Sequence, residues 1–181
     1  MRAPAYKKKN KFMATIYFAG GCFWGTEHFM KQIYGVTDTE VGYANSVVEN
    51  PSYGEVKTGE TRAVETVKVE YDEAVVDLRF LLNLFFLTID PTIRDRQGND
   101  IGTQYRTGIY YTTEEQHKII EAALDQLQKR YDAPIVTEVL PIGNFYSAED
   151  YHQDYLDKNP GGYCHVNPKL FALAREMSRK G

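Results

Sequence analysis

An α+β fold is what this sequence predicts, and three observations carry that prediction. Strand-like and helix-like segments are mixed along the chain. The strands turn back on one another in hairpin fashion, which argues against a doubly wound parallel sheet. The length of 181 residues, 43% of them hydrophobic, suffices for one core of ordinary globular composition.

Residues 15–19 read as a buried strand, from Thr15 and Ile16 through Tyr17, Phe18 and Ala19. Residues 26–34 read as a helix that stops at Gly35, which leaves Cys22 at the strand-to-helix turn. Residues 36–43 alternate as a second strand, and residues 45–61 form a long polar loop. A third strand over 63–71 precedes a buried helix over 78–89, with Asp77 placed as its N-cap. Residues 90–102, rich in Asp, Arg and Gly, form an irregular loop before a strand over 105–111. Thr113 and Gln116 have capping-box spacing and open a helix to about Arg130. A strand over 135–140, a short helix over 148–157 capped by Ser147, and a terminal helix opened by Asn167 and Pro168 complete the order.

The net charge of -4 argues against a nucleic-acid surface, which needs a basic face. The longest apolar run, Phe80 to Leu87, is interrupted by Asn83 and too short to cross a bilayer. Residues 1–12 are expected to be a flexible basic tail, since no apolar stretch of signal-peptide type follows the lysines, and residues 13–181 a single domain. Two cysteines cannot scaffold a domain this large, so a reducing cytoplasm is expected and any disulfide would be transient; a monomer is expected as well.

Cys22 stands beside Trp24, the only tryptophan, and between Gly21 and Gly25. At a strand-to-helix turn, free backbone N–H groups and the helix dipole favour a thiolate, so a lowered thiol pKa and a reactive nucleophile are expected. The alternative is a small core cysteine with Trp24 packed beside it. In the third strand Val67, Val69 and Tyr71 share the inward parity, and Glu65 shares it with them. A buried carboxyl has a raised pKa and can donate a proton near neutrality; the competing reading is an edge glutamate paired with Arg62. Tyr53, Asp100 and Tyr105 lie in loops or at a strand start, where either local turn bonding or function places them. Cys164 follows the breaker-rich stretch Asn159 to Gly162 and reads as a mobile, accessible thiol. The four histidines show no ligand spacing with the cysteines, so no metal is expected.

The stretch Gly21-Cys22-Phe23-Trp24-Gly25 resembles the signature of the peptide methionine sulfoxide reductase A family. Similar segments follow in the family's order: Val41 to Ala44, Asn50 to Tyr53, Glu65 with the strand after it, Gly98 to Arg106, and Tyr151 to Leu156. The resemblance implies a ferredoxin-like α/β plait, a mixed central sheet with flanking helices and long irregular segments. It further implies reduction of the S-epimer of methionine sulfoxide, free or in proteins, with Cys22 as nucleophile and Glu65 as acid. Tyr53, Tyr105 and Asp100 would hold the sulfoxide oxygen, and Phe23 and Trp24 would receive the methyl group. Cys164 would resolve a Cys22 sulfenic acid to a disulfide, which thioredoxin, or dithiothreitol in vitro, would reduce; no cofactor is implied. The sequence departs from the family at Ala63, where many members have histidine, and at Asn45-Ser46, which replaces a glycine pair. Two rivals share the cysteines: a peroxide-consuming thiol enzyme, and a redox sensor or methionine-peptide binder without turnover.

Overall fold

The computed structural model describes residues 11–179. The first strand, β1 (Met13–Gly20), leads into helix α1 (Phe23–Lys31) and strand β2 (Val36–Ala44). A short helix α2 (Tyr53–Lys57) precedes strand β3 (Val64–Asp72), helix α3 (Leu78–Phe86) and a two-stranded ribbon of β4 (Arg96–Gln97) and β5 (Asp100–Ile101). Strand β6 (Thr107–Tyr111), helix α4 (Glu114–Gln128) and strands β7 (Glu138–Pro141) and β8 (Phe145–Ser147) follow. Helices α5 (Tyr155–Lys158) and α6 (Lys169–Arg179) end the described chain.

Six strands form one mixed sheet in the order β7-β6-β1-β3-β2-β8, antiparallel throughout except for the parallel pair β6 and β7. The parallel pair needs a crossover, and α4 supplies it. Strand alternation sorts side chains to two faces. Ile16, Phe18, Val41, Val67, Val69 and Ile109 join the buried residues of α1, α3 and α4 in the main core. Ala19, Ala44, Val64 and Tyr110 form a smaller cluster with Tyr17, Ile142 and Phe145. The mixed sheet with flanking helices is as the sequence predicts.

Several local expectations need correction. Helix α1 begins at Phe23 rather than residue 26, because Gly21 turns the chain at φ +87° and lets Cys22 serve directly as the N-cap. A side chain at Gly21 would bring its Cβ to 2.8 Å from Gln97 Cβ, so the turn has no room for one. The polar loop over 45–61 contains α2, whose Ser52 and Glu55 form a full capping box, and Tyr53 is therefore helical. In α4, Thr113 Oγ1 accepts from the Gln116 amide at 3.2 Å, but the Gln116 side chain turns instead to Thr112 and the Thr15 carbonyl, so the box is half formed.

The helix expected over 148–157 is a 3-10 turn, Asp150–His152, followed by α5. Gln153 breaks it: its Nε2 donates to the Val41 carbonyl and its Oε1 accepts from the Val41 amide, as a neighbouring strand would. Asp154 then takes a left-handed φ of +53°, its amide held by Glu27 Oε1 at 2.8 Å. Ser147 is no helix cap; it belongs to β8. Asp77 does cap α3 as expected, accepting from the Phe80 amide, and Asn167 Oδ1 accepts from the Lys169 amide where α6 begins. The expected basic tail lies outside the described residues except for Lys11 and Phe12.

Candidate active site

The site forms where β1 hands over to α1 against the inward face of β3. Cys22 is 7% exposed at the N-cap of α1, and Glu65 is 2% exposed one residue into β3. The Phe23 amide donates to Glu65 Oε1 at 3.3 Å, tying the two together. Cys22, Phe23, Trp24, Tyr53, Glu65, Asp100 and Tyr105, all singled out from the sequence, line one cavity of about 240 Å³. His152 and Tyr163 complete its wall.

Burial pushes the Glu65 carboxyl up to about 8, with the Phe23 amide opposing and Asp100 adding to the rise. It carries a proton at neutral pH and can give one away. The expectation for Cys22 is reversed. Burial pushes its thiol well above the ordinary value, and Glu65 adds to this wherever it is ionised, together outweighing the Trp24 amide that favours the thiolate. A helix N-terminus lowers a thiol pKa only where desolvation does not exceed it. The resting protein therefore holds a thiol.

Burial raises both phenols, Tyr53 and Tyr105, and the Glu65 charge adds to each. They are neutral hydroxyl donors in the cavity lining. Glu149, which sequence reasoning missed, positions Tyr53: it accepts from the Tyr53 amide at 3.2 Å and from the Tyr43 hydroxyl at 2.9 Å. Tyr163 Oη donates to Asp100 Oδ2 at 2.9 Å and joins the segment before Cys164 to β5.

The apolar wall is held from behind. Trp24 stacks on Tyr155 at 3.6 Å between ring centroids, and its Nε1 donates to His152 Nδ1 at 3.0 Å. His152 is buried among Phe23, Trp24, Tyr53 and Tyr151, and burial lowers its pKa, so the ring is neutral. His152 and Tyr155 were visible in the sequence only as members of a segment, with nothing local to mark them.

Cys164 does not line the cavity. Expected to be accessible, it is half-buried with its sulfur against Gly25, where an added Cβ would lie 3.0 Å away. Both cysteines are free thiols. The departure at Asn45 is structurally conservative: Asn45 adopts φ +52°, which glycine takes readily, and its Oδ1 accepts from the Gly143 amide. Among the described residues no group of three or more His, Cys, Asp or Glu is placed to hold a metal. No helix among them is long and apolar enough to cross a membrane.

A buried thiol and a protonated carboxylic acid facing one small cavity, with a second free thiol packed against the first turn of the helix that Cys22 caps, define a thiol-dependent oxidoreductase. Residues 14–180 match the family described as peptide methionine sulfoxide reductase. The Mycoplasma genitalium peptide methionine sulfoxide reductase MsrA is 58% identical over 85% of this chain and 98% of its own length. The crystal structure of reduced Mxr1 from Saccharomyces cerevisiae matches with a TM-score of 0.82 and 39% identity, over 86% of this chain and 91% of that one. The yeast protein in complex with Trx2 matches at 0.57 and 27% identity, over 82% of this chain and 91% of that one. The chain belongs to the peptide methionine sulfoxide reductase A family.

Proposed function

We propose that Cys22 and Glu65 are the reacting pair through which this enzyme reduces the S-epimer of methionine sulfoxide to methionine. The observation that carries the reading is the Phe23 amide on Glu65, which sets a protonated acid beside the thiol in a cavity of thioether size. The substrate methyl group packs on Phe23 and Trp24. Its oxygen accepts from Glu65, Tyr53 and Tyr105, and Asp100 organises that end of the cavity. The Cys22 sulfur attacks the sulfoxide sulfur as Glu65 protonates the oxygen. The S–S bond formed in that attack then breaks as the protonated oxygen shifts from the substrate sulfur to the Cys22 sulfur: methionine leaves with the electron pair, Cys22 becomes a sulfenic acid, and the proton of the Cys22 thiol replaces the one Glu65 gave.

The raised thiol fits this sequence of events. A thiolate formed before substrate arrives would face a carboxyl that shares its burial; one formed as the oxygen takes the Glu65 proton leaves the net charge of the cavity unchanged. Cys164 then displaces hydroxide from the Cys22 sulfenic acid to give a disulfide and water, and an external thioredoxin-type dithiol reduces that disulfide by exchange. The yeast relative's complex with Trx2 supports this donor. No bound cofactor enters these steps. The core is read as a ferredoxin-like plait, supported by the element order β1-α1-β2-β3-α3-β6 and the antiparallel arrangement β6-β1-β3-β2.

The test is an assay with separated S and R sulfoxide epimers of a methionine peptide and dithiothreitol as reductant. The S-epimer alone should be consumed. Equal consumption of both, or binding without reductant use, would overturn the reading.

A further inference from the structure

His165 follows Cys164 directly and sits in the cradle of the catalytic turn. Its Nε2 lies 2.7 Å from the Gly20 carbonyl oxygen. A carbonyl only accepts, so Nε2 carries the ring proton and Nδ1 presents a bare lone pair. That Nδ1 is fully buried and has no hydrogen-bond partner. An unpaired buried acceptor is costly and asks for an explanation. It has a direction: one point over Gly25, in the first turn of α1, lies 3.2 Å from His165 Nδ1 and 3.0 Å from Cys164 Sγ. The Cys164 thiol meanwhile donates to the Val166 carbonyl at 3.4 Å, the weak hydrogen bond a thiol makes.

We propose that His165 is the proton acceptor for Cys164 in the resolving step. The proposal rests on the reading of Cys164 given above. The Cys164 thiol turns from Val166 to Nδ1 and gives up its proton as its sulfur attacks the sulfur of the Cys22 sulfenic acid. An S–S bond forms and the S–O bond breaks. The departing hydroxide takes the proton back from the imidazolium, directly or through water, and leaves as water; no further oxidant or reductant is needed.

The surroundings fit a neutral base. Burial holds the imidazole below its ordinary value, against the Gly20 carbonyl and the Asp100 charge, which favour the proton. The titratable groups facing this place are Asp100 from β5, Cys22 at the turn, Tyr163 on the Cys164 segment, whose phenol burial raises, and Cys164 itself. Burial also raises Cys164, so its thiol needs a base to react at neutral pH. The Gly20 contact fixes the ring, which keeps the acceptor beside the resolving sulfur rather than in solvent.

The test mixes enzyme with excess methionine S-sulfoxide and no reductant, and follows methionine release and Cys22–Cys164 disulfide formation together across pH. In His165→Ala the disulfide should lag methionine release by a factor on the order of 100 beyond the wild type. Added imidazole should shorten that lag in proportion to its neutral fraction, which a merely structural role would not produce. His165→Gln, which keeps a donor toward Gly20, should show the same lag and guards against a misfolded alanine variant. A lag unchanged in both variants, or one that imidazole leaves unaltered, would overturn the proposal. Wild type that releases methionine but forms no Cys22–Cys164 disulfide would instead overturn the role of Cys164 and the proposal with it.

Discussion

The Phe23 amide donates to Glu65 Oε1 at 3.3 Å, so the residue directly after Cys22 holds the buried carboxyl of β3. One backbone bond thus fixes a helix start against a sheet and sets the distance between thiol and acid. It also leaves the second carboxyl oxygen for the cavity.

Glu65→Gln keeps that shape and the contact with Phe23 but cannot donate the proton. Formation of the Cys22 sulfenic acid in a single turnover should slow by roughly 100-fold or more. In the wild type the rate should fall on the alkaline side of about 8, as the carboxyl loses its proton. The variant should lack that inflection. An unchanged rate and profile would move the acid role to another group.

The same carboxyl makes stability depend on pH. Folding raises it to about 8, so the native protein keeps a proton that the unfolded chain releases in the ordinary carboxylate range. The resulting stabilisation is fully present below that range and lost as pH rises through 8. Tm of the wild type should therefore drop relative to Glu65→Gln between pH 5 and pH 9, by roughly 5 °C or more. Parallel Tm curves would show that Glu65 is not protonated in the fold.

Cys22 and Glu65 were legible in the sequence because their signals are local. A strand, a glycine turn and a helix place Cys22, and strand parity places Glu65. The direction of the Cys22 pKa was not legible, since the residues that enclose its cavity and turn, among them Glu65, Gln97, Tyr105, Tyr163 and His165, are distant in sequence. The break at residues 153–154 was hidden for the same reason: Gln153 bonds to Val41, and Asp154 to Glu27, across more than a hundred residues. Strand β8, three residues long, exists only by pairing with β2. His152 had no local mark because its role is to receive Trp24.

Trp24→Ala removes both the stack on Tyr155 and the donor to His152. The apolar wall then loses its shape as well as its area. KM for a methionine sulfoxide peptide should rise by about 10- to 100-fold, equivalent to about 1–3 kcal/mol. Dimethyl sulfoxide, which offers the methyl group without the peptide, reports how much of this loss belongs to the methyl pocket. Kinetics equal to wild type for both substrates would make Trp24 a packing residue.

Gly25→Ala separates the two halves of the reaction. The new Cβ would sit 3.0 Å from Cys164 Sγ and 3.2 Å from both His165 Nδ1 and Val166 Cγ2, so the Cys164 segment must shift. Helix α1 itself gains, since alanine is favoured over glycine in a helix by about 1 kcal/mol. Disulfide formation should slow severalfold while Tm holds or rises. A disulfide rate equal to wild type would show that the segment yields freely.

Cys164→Ser tests whether the second thiol resolves the first. Its single turnover should still release about one equivalent of methionine, because Cys22, Glu65 and the cavity are untouched; Cys164 lies outside the lining. Recycling by thioredoxin should then fail or slow greatly. The reason is geometric: Cys22 is 7% exposed, in a cavity shaped for a thioether, and an incoming protein thiolate cannot readily reach its sulfenic acid. The half-buried Cys164 offers a nearer sulfur once the disulfide has formed. Wild type after one turnover without reductant should lose two hydrogens by mass, and peptide mapping should join the Cys22 and Cys164 peptides. A serine variant that cycles normally with thioredoxin would reduce Cys164 to a packing residue over Gly25, and the reductant would have to reach Cys22 itself.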